Sequence, residues 1–170
     1  DYVSLIINMG IEVTGVCGNV KQKMPAYASV SDVKKKKDLI LLATKATDMI
    51  EAAKSVKNIL KDDGKVISMQ NGICVDDLVT VLGKDSVIGC ITGWGATMKS
   101  QGKLIMTSTG DFIIGYPQKK PDEFLKSVGH IMSSVVPVKV TDNLMGHLYA
   151  KLIINSCITS LGAICGLYLG

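Results

Sequence analysis

DLILLATKATDMIEAAKSVKNILKDDGKVISMQNGICVDDLVTVLGKDSVIGCIT, residues 38–92, carries the pattern that decides the fold. Its first run, DLILLAT (38–44), is apolar without interruption and bounded by charge, which predicts a central strand buried on both faces of a parallel sheet. Over 47–60 the apolar residues Met49, Ile50, Ala53, Val56, Ile59 and Leu60 recur at helical period, up to a KDDG turn closed by Gly64. KVISMQ is the next buried strand. Asp76 and Asp77 open a second short helix that Gly83 ends, and SVIGCIT is a third strand. Strand, helix, strand, helix, strand with connections this short implies parallel strands joined by right-handed crossovers, hence an α/β, three-layer sheet.

On the N-terminal side, DYVSLIINMG reads as the tail of an amphipathic helix stopped at Gly10. IEVTGVCGNVKQKMPAYASV alternates like short strands broken by Gly15 and Gly18, a hairpin-like excursion. The four lysines at 34–37 have no interleaved aromatics and read as a solvated turn. On the C-terminal side, WGATMKSQGKLIMTSTGDFIIGYP alternates with period two around Gly102 and Gly110, predicting an antiparallel meander appended to the sheet. Residues 121–133 return to helical period and VVPVKV is a last short strand. From Asp142 one helical pattern runs to the end, capped by Thr141 or Asp142. Residues 152–170 are apolar over nearly the length of a bilayer span, but Asn155, Ser156, Thr159 and Ser160 recur at helical spacing, which predicts a buried helix of a soluble protein. Two units are expected, 1–140 and 141–170. With no initiator Met and both ends inside helical patterns, the chain reads as an internal piece of a longer protein.

Composition narrows the function classes. With 47% hydrophobic and 20% charged residues over 170 positions, and mean hydropathy +0.31, the chain is a folded protein rather than a disordered one. Nineteen basic groups against fifteen acidic give only +4, and every basic residue is a lysine. Without the planar arginine fork and without a clustered stripe, no nucleic-acid partner is expected, nor is a membrane. The five cysteines are odd in number and scattered, with no CxxC pair and two histidines in all, so no metal site is expected and the setting is reducing and cytoplasmic.

In open α/β sheets ligands collect at the carboxyl ends of strands, which here are Thr44 and Lys45, then Gln70, Asn71 and Gly72, then residues 92–96. By spacing alone Lys45 is either a snorkelling surface lysine or a contact to an anion, and Asn71-Gly72 is first of all a turn dipeptide. Lys151 sits among apolar residues with no carboxylate at a helical neighbour; His147 lies one turn before it and Asn155 one turn after. Lys151, Asn155 and Thr159 fall at i, i+4 and i+8, a polar stripe that implies a ligand cleft if the helix faces the core, and a snorkelling lysine otherwise. No Ser/His/Asp set can be assembled, and TGVCGNV has the wrong glycine spacing for a phosphate loop.

The segments DLILLATKA, VISMQNG, GWGAT followed by Gly102, DFIIG, and YAKLIINSCITSLGA together resemble, in order and over nearly the whole chain, the ketopantoate reductase (2-dehydropantoate 2-reductase) family. The resemblance implies a Rossmann-like NADP domain followed by an all-α domain, with the GxGxxG turn and first strands preceding Asp1, and NADPH-dependent reduction of a small-molecule 2-oxoacid. It also implies that these 170 residues do not turn over alone, and it is compatible with a homodimer. Residue by residue, it makes Lys151 the catalytic proton donor, Lys45, Asn71 and Ala96 cofactor contacts, and Asn71, Asn155 and Thr159 substrate contacts. Thr159 and Leu169 stand where the family carries further substrate asparagines; Ser160 replaces a proline, Tyr149 a tryptophan and Asp48 a glutamine. These departures bear on the substrate more than on the chemistry. Two alternatives stay open: another β-hydroxyacid dehydrogenase-like reductase, or a non-catalytic NADP-sensing or structural Rossmann-like protein.

Overall fold

In the computed structural model, which describes residues 1–166, the elements follow the order α1 (Tyr2–Met9), β1 (Ile11–Gly15), β2 (Val20–Gln22), β3 (Lys37–Leu42), α2 (Met49–Lys57), β4 (Leu60–Ser68), α3 (Val75–Leu82), β5 (Val87–Thr92), β6 (Gly95–Ser100), β7 (Lys103–Ser108), β8 (Phe112–Gly115), α4 (Glu123–Met132), β9 (Val138–Val140) and α5 (Leu144–Cys165). The main sheet has the order β3-β4-β5-β8-β9, with only the β5–β8 pair antiparallel. Leu42, Val66, Val87 and Ile91 on one face meet Ala53 and Val56 of α2, Leu78 of α3 and Leu144 and Leu148 of α5. Ile67, Ile88, Cys90 and Ile114 on the other meet Leu125, Val128 and Met132 of α4, together with Met106 of β7. The three-layer α/β arrangement is therefore present, built by strands whose alternate residues feed two separate cores.

Several expectations need correction. Among the described residues β3 has a sheet neighbour on one side only, β4, and the expected burial on both faces is not met within them, since Leu41 is 52% exposed. The helix expected over 47–60 is shorter, because Leu60 already pairs with Lys37, and the KDDG segment is an irregularity inside β4 where the register slips. The segment expected as one appended meander is divided. β6 and β7 pair antiparallel in a second sheet of order β2-β1-β7-β6, where β1 runs parallel to β7, and only β8 joins the main sheet. The chain leaves the main sheet at Gly93 and returns past Gly110, where the two backbones cross too closely for a side chain on either residue.

The last helix also starts and behaves differently. Thr141 still belongs to the sheet, since its N–H donates to the Ile114 carbonyl at 2.9 Å. The cap is therefore Asn143, whose Oδ1 accepts from the Gly146 N–H at 3.1 Å, while the Thr141 hydroxyl accepts from the Asn143 N–H. α5 ends at Cys165 with Gly166 as its left-handed cap, and Leu169 lies outside the described residues. Nor is α5 a buried helix. Only Leu144 and Leu148 are buried, and Ile153, Ile158, Leu161 and Ile164 stand in the open, because past Lys151 no described element lies against it. By length and apolarity it could cross a membrane, but its first two turns are part of the core and cannot leave it without opening the sheet.

What lets α5 dock is a pair of glycines. Gly89 of β5 and Gly115 of β8 face each other across the antiparallel ladder. A Cβ on Gly89 would lie 2.5 Å from Leu144 Cδ2; one on Gly115 would lie 2.8 Å from the Thr141 carbonyl and 3.1 Å from Leu144 Cβ. The bare backbone forms a saddle for the first turn of the helix. Gly115→Ala meets backbone that cannot retreat, so a loss of about 1–3 kcal/mol is expected in urea denaturation. Gly89→Ala meets the tip of a flexible side chain, and combining it with Leu144→Ala should cost less than the sum of the two single changes. Unchanged stability of Gly115→Ala would refute the saddle.

Candidate active site

The carboxyl ends of β3 and β4 are tied together. The Met69 N–H donates to the Leu42 carbonyl at 3.0 Å, the Ser68 hydroxyl donates to Gln70 Oε1 at 2.7 Å, and Gln70 Nε2 donates to Thr44 Oγ1 at 3.3 Å. Gln70 is buried, so its amide is a structural clasp, and the turn that follows presents the exposed Asn71 at the rim. Neighbouring β5 ends at Thr92, where the chain bends away through Gly93 and Trp94.

α5 crosses this rim. Together with Asn71, Thr92, Trp94 and Ile113, its residues His147, Lys151 and Asn155 line an open cleft of about 590 Å³. Lys151 is half-buried, and its Nζ donates to the Thr92 carbonyl at 2.7 Å and to Thr92 Oγ1 at 3.3 Å. Burial pushes the Lys151 ammonium below the usual lysine range. Burial in turn drives the Cys90 thiol up to about 12, against the pull of Lys151, so at neutral pH the thiol is uncharged and makes no ion pair. Among the described lining residues there are two basic side chains and no carboxylate, an environment that draws in anions.

Of the residues singled out in the sequence, the structure thus brings Asn71, Lys151 and Asn155 to one cleft. Lys45 is exposed just past β3, at the same carboxyl edge but outside that lining, where it begins a short 3-10 turn over Ala46–Asp48. Ala96 lies in β6 opposite Met106, also outside the lining. Thr159 is exposed and outside it as well: an i+4 stripe drifts about 40° per step and rises about 12 Å over eight residues, carrying it past the sheet. The stripe instead continues backwards, to His147 at i−4, which sequence reading noted only as a neighbour. Thr92 and Trp94 were within the strand-end stretch but unassigned; nothing in their spacing distinguished them.

A sequence model of the family described as ketopantoate reductase PanE/ApbA matches residues 3–119. The chain belongs to the ketopantoate reductase family. The 2-dehydropantoate 2-reductase of Pyrococcus abyssi is 36% identical over 165 residues, covering 96% of this chain and 53% of its own length. The crystal structure of a PanE/ApbA family ketopantoate reductase from Ralstonia eutropha superposes with a TM-score of 0.85 at 28% identity, over 98% of this chain and 54% of that one. D-mandelate dehydrogenase with NADH and anilino(oxo)acetate shares the fold at a TM-score of 0.82 and 21% identity, over 98% and 54%. The chain spans about half the length of the curated relatives it matches.

Trp94 is the chain's single tryptophan and a wall of the cleft, so its emission reports occupancy. Titration with a small carboxylate anion such as acetate is expected to change Trp94 fluorescence saturably, less so at high salt and not at all in Lys151→Met. A response that persists in Lys151→Met would place the anion elsewhere.

Proposed function

We propose that the protein carrying this chain is an NADPH-dependent reductase of a 2-oxoacid, of the type that converts ketopantoate to pantoate for pantothenate and coenzyme A biosynthesis. The observation that carries this reading is the meeting of Lys151, Asn71 and Asn155 in one anion-attracting cleft at the carboxyl ends of the strands, in a member of this family. In this reading residues 1–140 are the later part of the nucleotide-binding domain, and 141–170 open the all-α domain. The setting is cytoplasmic, a homodimer is compatible with it, and neither nucleic acid nor membrane is a partner.

The residues that would hold the dinucleotide are Lys45 and Asn71, just beyond β3 and β4, and Ala96, near the start of β6. When bound, NADPH supplies the hydride to the carbonyl carbon. As that carbon is reduced, negative charge builds on its oxygen, and the Lys151 ammonium is the donor that neutralises and protonates it. Desolvation serves this role by bringing the proton's affinity nearer to operating pH than that of a solvated lysine. Asn155, one turn further along α5, holds the oxoacid by its amide, and Asn71 touches both cofactor and substrate. Thr159 remains assigned to the substrate by family resemblance.

In the full-length protein, Lys151→Ala is expected to lower turnover of ketopantoate by roughly 10² to 10⁴ with NADPH affinity nearly unchanged. Asn155→Ala is expected to act chiefly on the KM for the oxoacid, since an amide gains little strength as charge develops. Because the protonated amine is the active form and its pKa is lowered, wild-type turnover should fall with rising pH before the ordinary lysine range is reached. Near-native turnover of Lys151→Ala would rule out this helix as the catalytic one.

A further inference from the structure

Lys151 is not free to sample the cleft. An ammonium has three N–H groups, and two of them are engaged by one residue, the carbonyl at 2.7 Å and the hydroxyl at 3.3 Å of Thr92. Thr92 is itself held. It pairs with Phe112 in the β5–β8 ladder, and the N–H of the same peptide unit, that of Gly93, donates to the Asp111 carbonyl at 2.9 Å. With its N–H anchored to Asp111, the peptide plane cannot rotate, and its carbonyl stays aimed at α5. Phe112 in turn meets Trp94 edge-on, with ring centroids 5.2 Å apart, so the wall of the cleft and the anchor of the lysine are parts of one packed unit.

We infer that Thr92 is a positioning residue for Lys151, gripping its ammonium through both carbonyl and hydroxyl so that the remaining N–H is turned to the cleft. The inference rests on the reading of Lys151 as proton donor and adds the device that aims it. A lysine carries four flexible methylenes and has no preferred direction of its own; a two-point hold supplies one at the place where the carbonyl oxygen of an oxoacid would be reduced. The hydroxyl has a second effect. It accepts from the charged form and so opposes the desolvation that Lys151 suffers. The other titratable groups near the amine are Cys90 from β5 and His147 from α5; the turn after β4 contributes the neutral Asn71 and β8 the apolar Ile113.

Thr92→Val keeps the β-branched shape and removes the hydroxyl, while Thr92→Ser keeps the hydroxyl. Both are to be assayed in the full-length protein with NADPH and ketopantoate, beside Lys151→Ala. Thr92→Val is expected to lower kcat roughly 10-fold with the KM for NADPH unchanged. It should also move the alkaline limb of the pH profile down by about one unit, because loss of an acceptor favours the uncharged amine. The ε-carbon chemical shift of Lys151, followed against pH, should show the same downward shift without any turnover, and Thr92→Ser should restore both. Should the valine disturb the β5–β8 ladder, Thr92→Ala removes the same hydroxyl with less bulk. Hydroxyl-free variants with native kcat and an unmoved Lys151 titration would overturn the inference while leaving the lysine's role standing, provided Lys151→Ala is impaired. If Lys151→Ala turns over normally, the functional reading falls and the inference with it.

Discussion

Leu144 can press onto the main sheet only because two residues without side chains face each other beneath it, Gly89 in β5 and Gly115 in β8. Every feature of the cleft depends on that contact. The helix axis is set within its first turn by Leu144 and Leu148 in the core and by the Asn143 cap, and a rigid helix then delivers Lys151 to the end of β5 with no further adjustment. Were Gly115 replaced by a larger residue, its Cβ would press on the Thr141 backbone and on Leu144 Cβ, and the helix would lift or tilt and carry Lys151 with it.

The sequence reading captured local periodicity and missed lateral relationships. Alternation of strands and helices over 38–92 was legible because each element has its own period and its own stop signal. That β7 turns aside to pair with β1, carrying β6 on its other edge, was not legible, because hydrogen-bond partners across a sheet leave no trace in either strand's own pattern. The cap of α5 was misplaced for a similar reason. Thr141 is a good capping residue by type, but its backbone is claimed by Ile114 of β8, a tertiary fact that propensity does not contain.

The site shows the same division. Lys151 and Asn155 are adjacent on a helix, so their common face could be read from number alone, and Asn71 was findable as a residue just past a strand. Thr92 holds the ammonium by its hydroxyl and by its backbone carbonyl, and because every residue has a carbonyl and a lone hydroxyl at a strand end is common, no side-chain pattern could have flagged it. The stripe read as extending from Lys151 towards Thr159 faces the cleft only as far as Asn155, and runs the other way to His147. Helical spacing says which residues share a face and leaves open how far along the helix the partner surface extends.

The contact that aims Lys151 joins residues 59 positions apart, whereas the alternating strands and helices that end at Thr92 close through short crossovers. Closing the longer loop is entropically the more expensive step, and it is rewarded only once β8 has found β5 and brought the two glycines together. The geometry at the amine is therefore complete only when the β5–β8 pairing and the docking of the first two turns of α5 are both in place. The lowered basicity of Lys151 is thus a property of the docked helix: where α5 lifts from the sheet, the same amine meets water and is an ordinary solvated lysine.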